Sequence, residues 1–462
     1  MTTRVIIVRH GQSSYNIEGR IQGRCDNSVL TEKGRADASK VGAALKSLSF
    51  DAIYCSPLQR AKSTAEIIAS CLEPSLELRE VDNLREIDLP LWEEMLRDEV
   101  KEKFAADYRC WKESPDEFHM LVPEPEGNRE HYPVLALYEQ AKKFWQEVLP
   151  RHQCKTIMVV AHNGINRCLL ASAVEIPPAY YHSLQQSNCG ISVLNFAGDL
   201  GEAVQLESMN LTSHMGESFP KPREGHRGCR LLLVRHGETQ WNREKRFQGW
   251  NDIPLNETGR QQSQKAGEFL KDVKIDFAFS SPMLRPKETA EIIVRCLSGS
   301  AISASPEGRH RKHHPQLQLQ LSEGLREISH GLWEGKLEAE IEKGFPGQLE
   351  QWKTAPATVQ MPEGENLQQV WERGMAAWNE IVKSAPPNSI GLVVAHDAIN
   401  KAVLCQLFGL YPEHFWKFKQ GNCAVTVIDY PKGLKGKPVL ETHNITTHIS
   451  GSILDQTAAG AL

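Results

Sequence analysis

The sequence predicts two tandem three-layer α/β/α domains, each with a mostly parallel central sheet. Three observations predict it. Short β-branched runs alternate with helical stretches, histidines stand directly after apolar strands, and the whole pattern occurs twice.

The strands come first. Arg4 to Val8, Ala52 to Cys55 and Thr156 to Val160 have the length and side chains of buried strands. Thr31 to Leu48 and Ser63 to Leu72 carry apolar residues at helical spacing between them. Strands alternating with helices make a parallel sheet covered on both faces. Ligands of such sheets sit outside the carboxyl ends of the strands. Arg9-His10-Gly11 and Ala161-His162 fall there, so the two histidines are expected to meet in one crevice.

The repeat sets the domain organisation. Val8-Arg9-His10-Gly11 returns as Val234-Arg235-His236-Gly237, a shift of 226 positions from His10 to His236. Asn16 answers to Asn242, and Ser56-Pro57-Leu58-Gln59-Arg60 to Ser281-Pro282-Met283-Leu284-Arg285. Leu84-Arg85-Glu86-Ile87 returns as Leu325-Arg326-Glu327-Ile328, and Val159-Val160-Ala161-His162 as Val393-Val394-Ala395-His396. Solenoid repeats run roughly 20 to 50 residues, so this period marks a duplicated domain. The expected boundaries are a first domain at 1–214, a linker at 215–228 with glycines and prolines among charges, and a second domain at 229–462. The second copy carries an insertion at 298–314, rich in Ser, Gly, His and Arg. It reads as a surface loop, and its His310, His313 and His314 lack the carboxylate or cysteine that a metal site would add.

Composition narrows the function. A formal net charge of -5 over 462 residues is small, so nothing indicates nucleic acid or membrane as a partner. Any positive charge must be concentrated in a pocket, which points to a small substrate. The 11 cysteines contain no Cys-x-x-Cys pair, which suits a reducing compartment rather than a disulfide framework or zinc. The chain reaches an apolar segment at Val5, leaving no room for a signal or transit peptide. A cytoplasmic location is expected, or a plastid stroma if a transit peptide is absent from this sequence. No apolar run approaches the roughly 18 residues of a membrane-spanning helix.

Each copy places two arginines, two histidines and one glutamate at strand ends: Arg9, His10, Arg60, Glu86, His162 and Arg235, His236, Arg285, Glu327, His396. These residue types suit phosphoryl transfer. Guanidinium forks neutralise phosphate oxygens. A neutral imidazole can attack phosphorus and form a covalent intermediate. A carboxylic acid can protonate the departing oxygen and later take a proton from water. Gly11 and Gly237 are expected to allow close backbone approach and to add amide donors. Taken singly, each side chain has a structural explanation; recurrence in the same order and context in both halves argues against coincidence.

On these motifs the chain resembles the histidine-phosphatase (phosphoglycerate-mutase-like) superfamily, twice over nearly its whole length. The signature Arg-His-Gly-[Glu/Gln]-[Ser/Thr]-x-x-Asn carries the resemblance. It implies that His10 and His236 are the phosphorylated nucleophiles and that Glu86 and Glu327 are the proton donors. It assigns Arg9, Asn16, Arg60, His162, Arg235, Asn242, Arg285 and His396 to the phosphate pocket. No metal or organic cofactor is implied. The doubled arrangement is similar to the 2-carboxy-D-arabinitol 1-phosphate phosphatase family of plants and its cyanobacterial relatives. The Asn-Glu-Arg-His-Tyr-Gly segment and basic insertion of the cofactor-dependent mutases are missing, which favours hydrolysis of a small phosphorylated sugar acid or similar ester. A mutase remains the alternative, as does one catalytic repeat served by a regulatory or dimerising partner repeat; a homodimer is left open.

The copies also differ. Pro90 and Glu94 stand where the second has Gly331 and Gly335, so the first acid-bearing loop is expected to sit differently. Asp397 follows His396 where Asn163 follows His162, and pointing inward it would repel phosphate. Selectivity is expected in Arg97 to Arg129 and Lys336 to Asn366; Lys101, Lys103, Arg109 and Lys112 read as solvated helix charges.

Overall fold

The computed structural model of the chain describes residues 2–74, 76–222, 225–297 and 317–458. The expected surface loop at 298–314, with its three histidines, lies outside the described residues. The chain divides into two compact units, Met1–Pro220 and Lys221–Leu462.

In the first unit the strands are β1 (Thr3–Arg9), β2 (Ala52–Cys55), β3 (Leu78–Glu80), β4 (Met120–Glu124), β5 (Gly127–His131), β6 (Thr156–Ala161), β7 (Ile191–Phe196) and β8 (Val204–Leu211). The sheet runs β3-β2-β6-β1-β7-β8. The first four strands are parallel, and β7 and β8 join antiparallel at one edge. The second unit repeats this with β9 (Cys229–Arg235), β10 (Phe277–Ser280), β11 (Leu319–Leu321), β12 (Ile390–Ala395), β13 (Val425–Tyr430) and β14 (Val439–Ile445), in the order β11-β10-β12-β9-β13-β14. Central strands covered on both faces need continuous apolar runs, and Val5 to Val8 and Leu231 to Val234 are fully buried.

Helices Glu32–Leu45 and Gln59–Ala69 pack together, as do Pro133–Val148 and Asn163–Ala173. In Glu32–Leu45 the buried residues Gly34, Ala38, Val41, Gly42 and Leu45 recur at the spacing of one helical face. The helix expected from Ser63 starts four residues earlier, at Gln59. Its start is capped from afar: the Gln59 amide donates to the Asp26 carboxylate at 2.6 Å. The second unit uses the same device, Leu284 N to Asp252 at 2.7 Å.

The segment from Arg97 to Arg129 folds as helices Arg97–Lys103 and Ala105–Glu113 followed by the β4–β5 hairpin. Lys101, Lys103, Arg109 and Lys112 are exposed there, with Lys101 paired to Asp98 and Lys112 over the Tyr108 ring. No helix among the described residues is long and apolar enough to cross a membrane.

Candidate active site

Strand register puts the two histidines of the first unit side by side. Arg9 ends β1 opposite Ala161 at the end of β6, and the His10 amide donates to the Ala161 carbonyl at 2.9 Å. The next residues, His10 and His162, therefore leave neighbouring strands at one level. Their ring centroids are 5.2 Å apart and their planes 59° apart. In the second unit Arg235 opposes Ala395, and His236 and His396 lie 5.2 Å apart at 67°.

Hydrogen bonding fixes the tautomer of His10. Its Nδ1 is 2.7 Å from the Gly11 carbonyl, which can only accept, so Nδ1 carries the proton and Nε2 keeps its lone pair. His236 repeats this with Gly237 at 2.7 Å. Burial, reinforced by neighbouring arginines, holds both imidazoles well below the usual histidine range. They are neutral at physiological pH.

The partner histidine is oriented by a serine. The Leu58 amide donates to Ser56 Oγ at 3.3 Å, and the same oxygen lies 2.8 Å from His162 Nε2. Nδ1 of His162 is buried and has no hydrogen-bond partner among the described residues. Ser281 and His396 repeat the arrangement at 2.9 Å, again with Nδ1 unpartnered.

The arginines are held by main-chain carbonyls. Arg60 donates to Cys25 O (2.8 Å) and Gly23 O (2.9 Å), and Arg9 to Gln186 O (2.7 Å). In the second unit Arg285 donates to Asn251 O (3.0 Å) and Gly249 O (2.9 Å), and Arg235 to Gln420 O (2.6 Å). Nε of all four is buried without a hydrogen-bond partner among the described residues. Desolvation pulls Arg9 and Arg285 down to about 10, despite the acid facing each. Buried cationic donors left unmatched are costly unless an anion joins them.

Each glutamate sits at the N-terminus of the helix that begins after the partner histidine. Glu86 accepts from the amides of Gly164 (3.0 Å), Ile165 (3.2 Å) and Ile87 (2.8 Å). Glu327 accepts from Ala398 (3.1 Å) and Ile328 (3.0 Å). Burial, with Asp397 adding repulsion, raises the Glu327 carboxyl above the ordinary range. Asn16 and Asn242 cap short helices through Oδ1, accepting from Ser13 N and Thr239 N, both at 3.1 Å.

Three positions were passed over in the sequence. Ser56 and Ser281 orient the partner histidine. Asn188 and Asn422 donate to the carbonyls of His10 (2.9 Å) and His236 (3.1 Å). Their signal was a further match between the halves, Gln186-Ser187-Asn188-Cys189 with Gln420-Gly421-Asn422-Cys423. Thr64 and Thr289 accept the Gly11 and Gly237 amides at 3.0 Å. That last contact corrects an expectation. The Gly11 amide is spent on Thr64 rather than offered to a ligand, and glycine is required because a Cβ would lie 2.4 Å from the Gly34 carbonyl. Asp397 does not stand alone against the pocket either: it pairs with Lys401 at 2.8 Å and lies 3.8 Å from Arg235. Among the described residues no group of three or more His, Cys, Asp or Glu side chains is disposed to hold a metal ion.

Comparison with known proteins agrees with this geometry. The profile of the histidine phosphatase superfamily (branch 1) matches residues 5–209 and 231–446. The chain is 32% identical to 2-carboxy-D-arabinitol-1-phosphatase of Triticum aestivum, over 96% of its length and 86% of that protein's. It is likewise 32% identical to a probable 2-carboxy-D-arabinitol-1-phosphatase of Arabidopsis thaliana, over 97% of its own length and 88% of the other's. Among solved structures, YhfR of Bacillus stearothermophilus is 30% identical, with 48% of this chain and all of that chain covered (100%) and a TM-score of 0.42. With two matched domains spanning most of its length, the chain belongs to the histidine phosphatase superfamily and is a phosphoric monoester hydrolase.

Proposed function

We propose that both halves hydrolyse the phosphate monoester of a small metabolite, a sugar acid or a similar compound, through a phosphohistidine and without a metal or organic cofactor. The observation that carries this reading is a neutral histidine with Nε2 available, ringed by buried donors without a hydrogen-bond partner among the described residues. In the first half, Nε2 of His10 attacks phosphorus while the bond to the alcohol oxygen breaks. Glu86 gives that oxygen its proton. Water then attacks the phosphohistidine, Glu86 takes its proton, and the P–N bond breaks to release phosphate. Arg9, Arg60, Asn16 and Nδ1 of His162 hold the phosphoryl oxygens throughout. His236, Glu327, Arg235, Arg285, Asn242 and His396 do the same in the second half. Splitting the displacement in two is the gain from a covalent intermediate; donors placed before the reaction supply the electrostatic part. The named substrates of the plant relatives support a sugar-acid ester.

The test is phosphate release across phosphorylated metabolites in EDTA, with His10→Ala, His236→Ala and the double variant. Turnover is expected to survive either single change in part and to vanish in the double. An acid-labile, base-stable label on histidine should appear on rapid quenching with labelled ester. Full activity of the double variant would sink the reading.

A further inference from the structure

The residue that opens the helix behind each pocket is the sharpest chemical difference between the halves: Asn163 in the first, Asp397 in the second. The neighbouring amides, Gly164 and Ala398, donate to the reacting glutamate, so this side chain stands at the pocket's edge. Asp397 is buried. Its Oδ2 lies 2.8 Å from Lys401 Nζ, and Oδ1, which has no hydrogen-bond partner among the described residues, lies 3.8 Å from Arg235 NH1. Lys401 is itself buried, with its ammonium 4.5 Å from the Trp416 ring centroid and 5.0 Å from that of Phe415. A lysine fixed in this way cannot swing out to a ligand; it holds the aspartate.

The first half does the opposite. Arg167 stands in place of Lys401, donates Nε to the Leu184 carbonyl at 2.7 Å and lies over the Tyr181 ring at 5.2 Å. Its charge reaches the pocket, because it helps to lower the Arg9 guanidinium. Asn163 leaves that charge uncancelled. Setting aside the reacting glutamate and the acids that recur in both halves, Asp26 and Glu93 against Asp252 and Glu334, the first pocket has Arg9, Arg60 and Arg167, for a sum of +3; the second has Arg235, Arg285 and Lys401 against Asp397, for a sum of +2, with Arg373 neutralised by Glu365. One unit charge about 12 Å from a ligand charge, at an effective dielectric of about 20, changes affinity roughly tenfold for each charge the ligand carries, and a nearer one changes it more. The rims carry an arginine each, paired with an acid: Arg24 approaches the Glu86 carbonyl at 3.4 Å with Asp88 3.8 Å away, whereas Trp250 donates to the Glu327 carbonyl at 2.8 Å with Arg326 over its ring at 5.3 Å and Glu323 2.7 Å from Arg326.

We propose that the two sites divide substrates by charge: the first favours phosphomonoesters whose alcohol carries a carboxylate, and the second, through the Asp397–Lys401 pair, favours those without one. The inference rests on the phosphatase reading above. Asp397 is a positioning residue in this scheme, acting on substrate through Arg235 and on the proton donor by proximity. The charged groups facing Glu327 are Asp397, Arg285 and Arg235, with Arg373 bonded to its carbonyl. Asp397 is the group among them that favours the protonated acid. Replacing it with asparagine lowers the Glu327 pKa, so the alkaline limb of turnover moves to lower pH.

The matched probes are 3-phosphoglycerate and glycerol 3-phosphate, which differ in a carboxylate against a hydroxymethyl group. Turnover and equilibrium binding of both are measured in the full chain with His236→Ala, which leaves the first site, and with His10→Ala, which leaves the second. The preference for 3-phosphoglycerate is expected to be about tenfold greater in the first. Asp397→Asn in the His10→Ala chain should raise that preference several-fold, and Asn163→Asp in the His236→Ala chain should lower it; the latter decides the matter if Asp397→Asn fails to fold. Equal preferences in the two sites, or preferences unmoved within twofold by the exchanges, overturn the inference even where rates fall. Absence of phosphate release with the binding preferences as stated would instead overturn the phosphatase reading and leave the division by charge standing.

Discussion

The two acid-bearing loops reach one endpoint by different supports. In the second half, Arg373 meets the Glu365 carboxylate through Nε (2.7 Å) and a terminal nitrogen (2.8 Å) and also donates to the carbonyls of Gly324, Arg326 and Glu327. Glu365 in turn accepts the Ser329 amide at 2.9 Å. In the first half, neutral Gln140 takes the place of that arginine, donating to the Asn83 (3.1 Å) and Arg85 (2.8 Å) carbonyls. His131, from the β4–β5 hairpin, reaches the Asp88 carbonyl at 3.1 Å. Gly331 takes φ +53 in the second half, a conformation closed to Pro90, and Glu94 adopts φ +65 where the second half has a glycine. The glutamate and its helix N-terminus are held constant while the support behind them changes. A side chain that does chemistry constrains the endpoint; the route to it is free to drift.

Three pairs of substitutions probe that comparison. The largest effect is expected from removing the proton. Glu86→Gln and Glu327→Gln, each in a chain whose other nucleophile is replaced, should lower kcat on the order of 10² to 10⁴-fold for an alkyl phosphate. The loss should shrink for p-nitrophenyl phosphate, whose leaving group needs no proton, and an equal loss on both esters would deny the glutamate an acid's role. Next comes the glycine. A Cβ at Gly331 would lie 2.0 Å from the Pro362 carbonyl at positive φ, so Gly331→Ala should destabilise the second half by roughly 2–4 kcal/mol. Pro90→Ala should cost the first half about 1 kcal/mol or less. Amide exchange in helices Leu367–Ser384 and Pro133–Val148 reads the two halves separately. The smallest effect is expected from the clamps: Arg373→Gln about 2 kcal/mol and Gln140→Ala about 1 kcal/mol, by the same measurement. Equal costs would mean that the ionic and neutral supports are equivalent.

Much of this was legible because the chain states it twice. Strands β1, β2 and β6, the four histidines, the four arginines and the two glutamates follow from apolar runs and repeated polar residues. What escaped was set by contacts between distant segments. The helix at Gln59 has no capping side chain of its own, so its start could not be read locally. The role of Gly11 was misread because a motif shows that the backbone comes close to something, not to what. The hairpin of β4 and β5 is largely exposed, with apolar Met120 to Pro123 paired to a polar strand, and it carries no alternation to announce it.

The borrowed cap has its own consequence. Asp26 closes the start of the helix that carries Arg60, and Arg60 returns two bonds to the carbonyls on either side of Arg24, in the same loop. Asp252 and Arg285 make the same loop of dependence. Neither partner is in position without the other, so each anion pocket assembles as a unit: a folding intermediate with the helix docked and the loop astray would hold no phosphate. Ligand binding during refolding would therefore report completion of this lock rather than the earlier gain of helical structure.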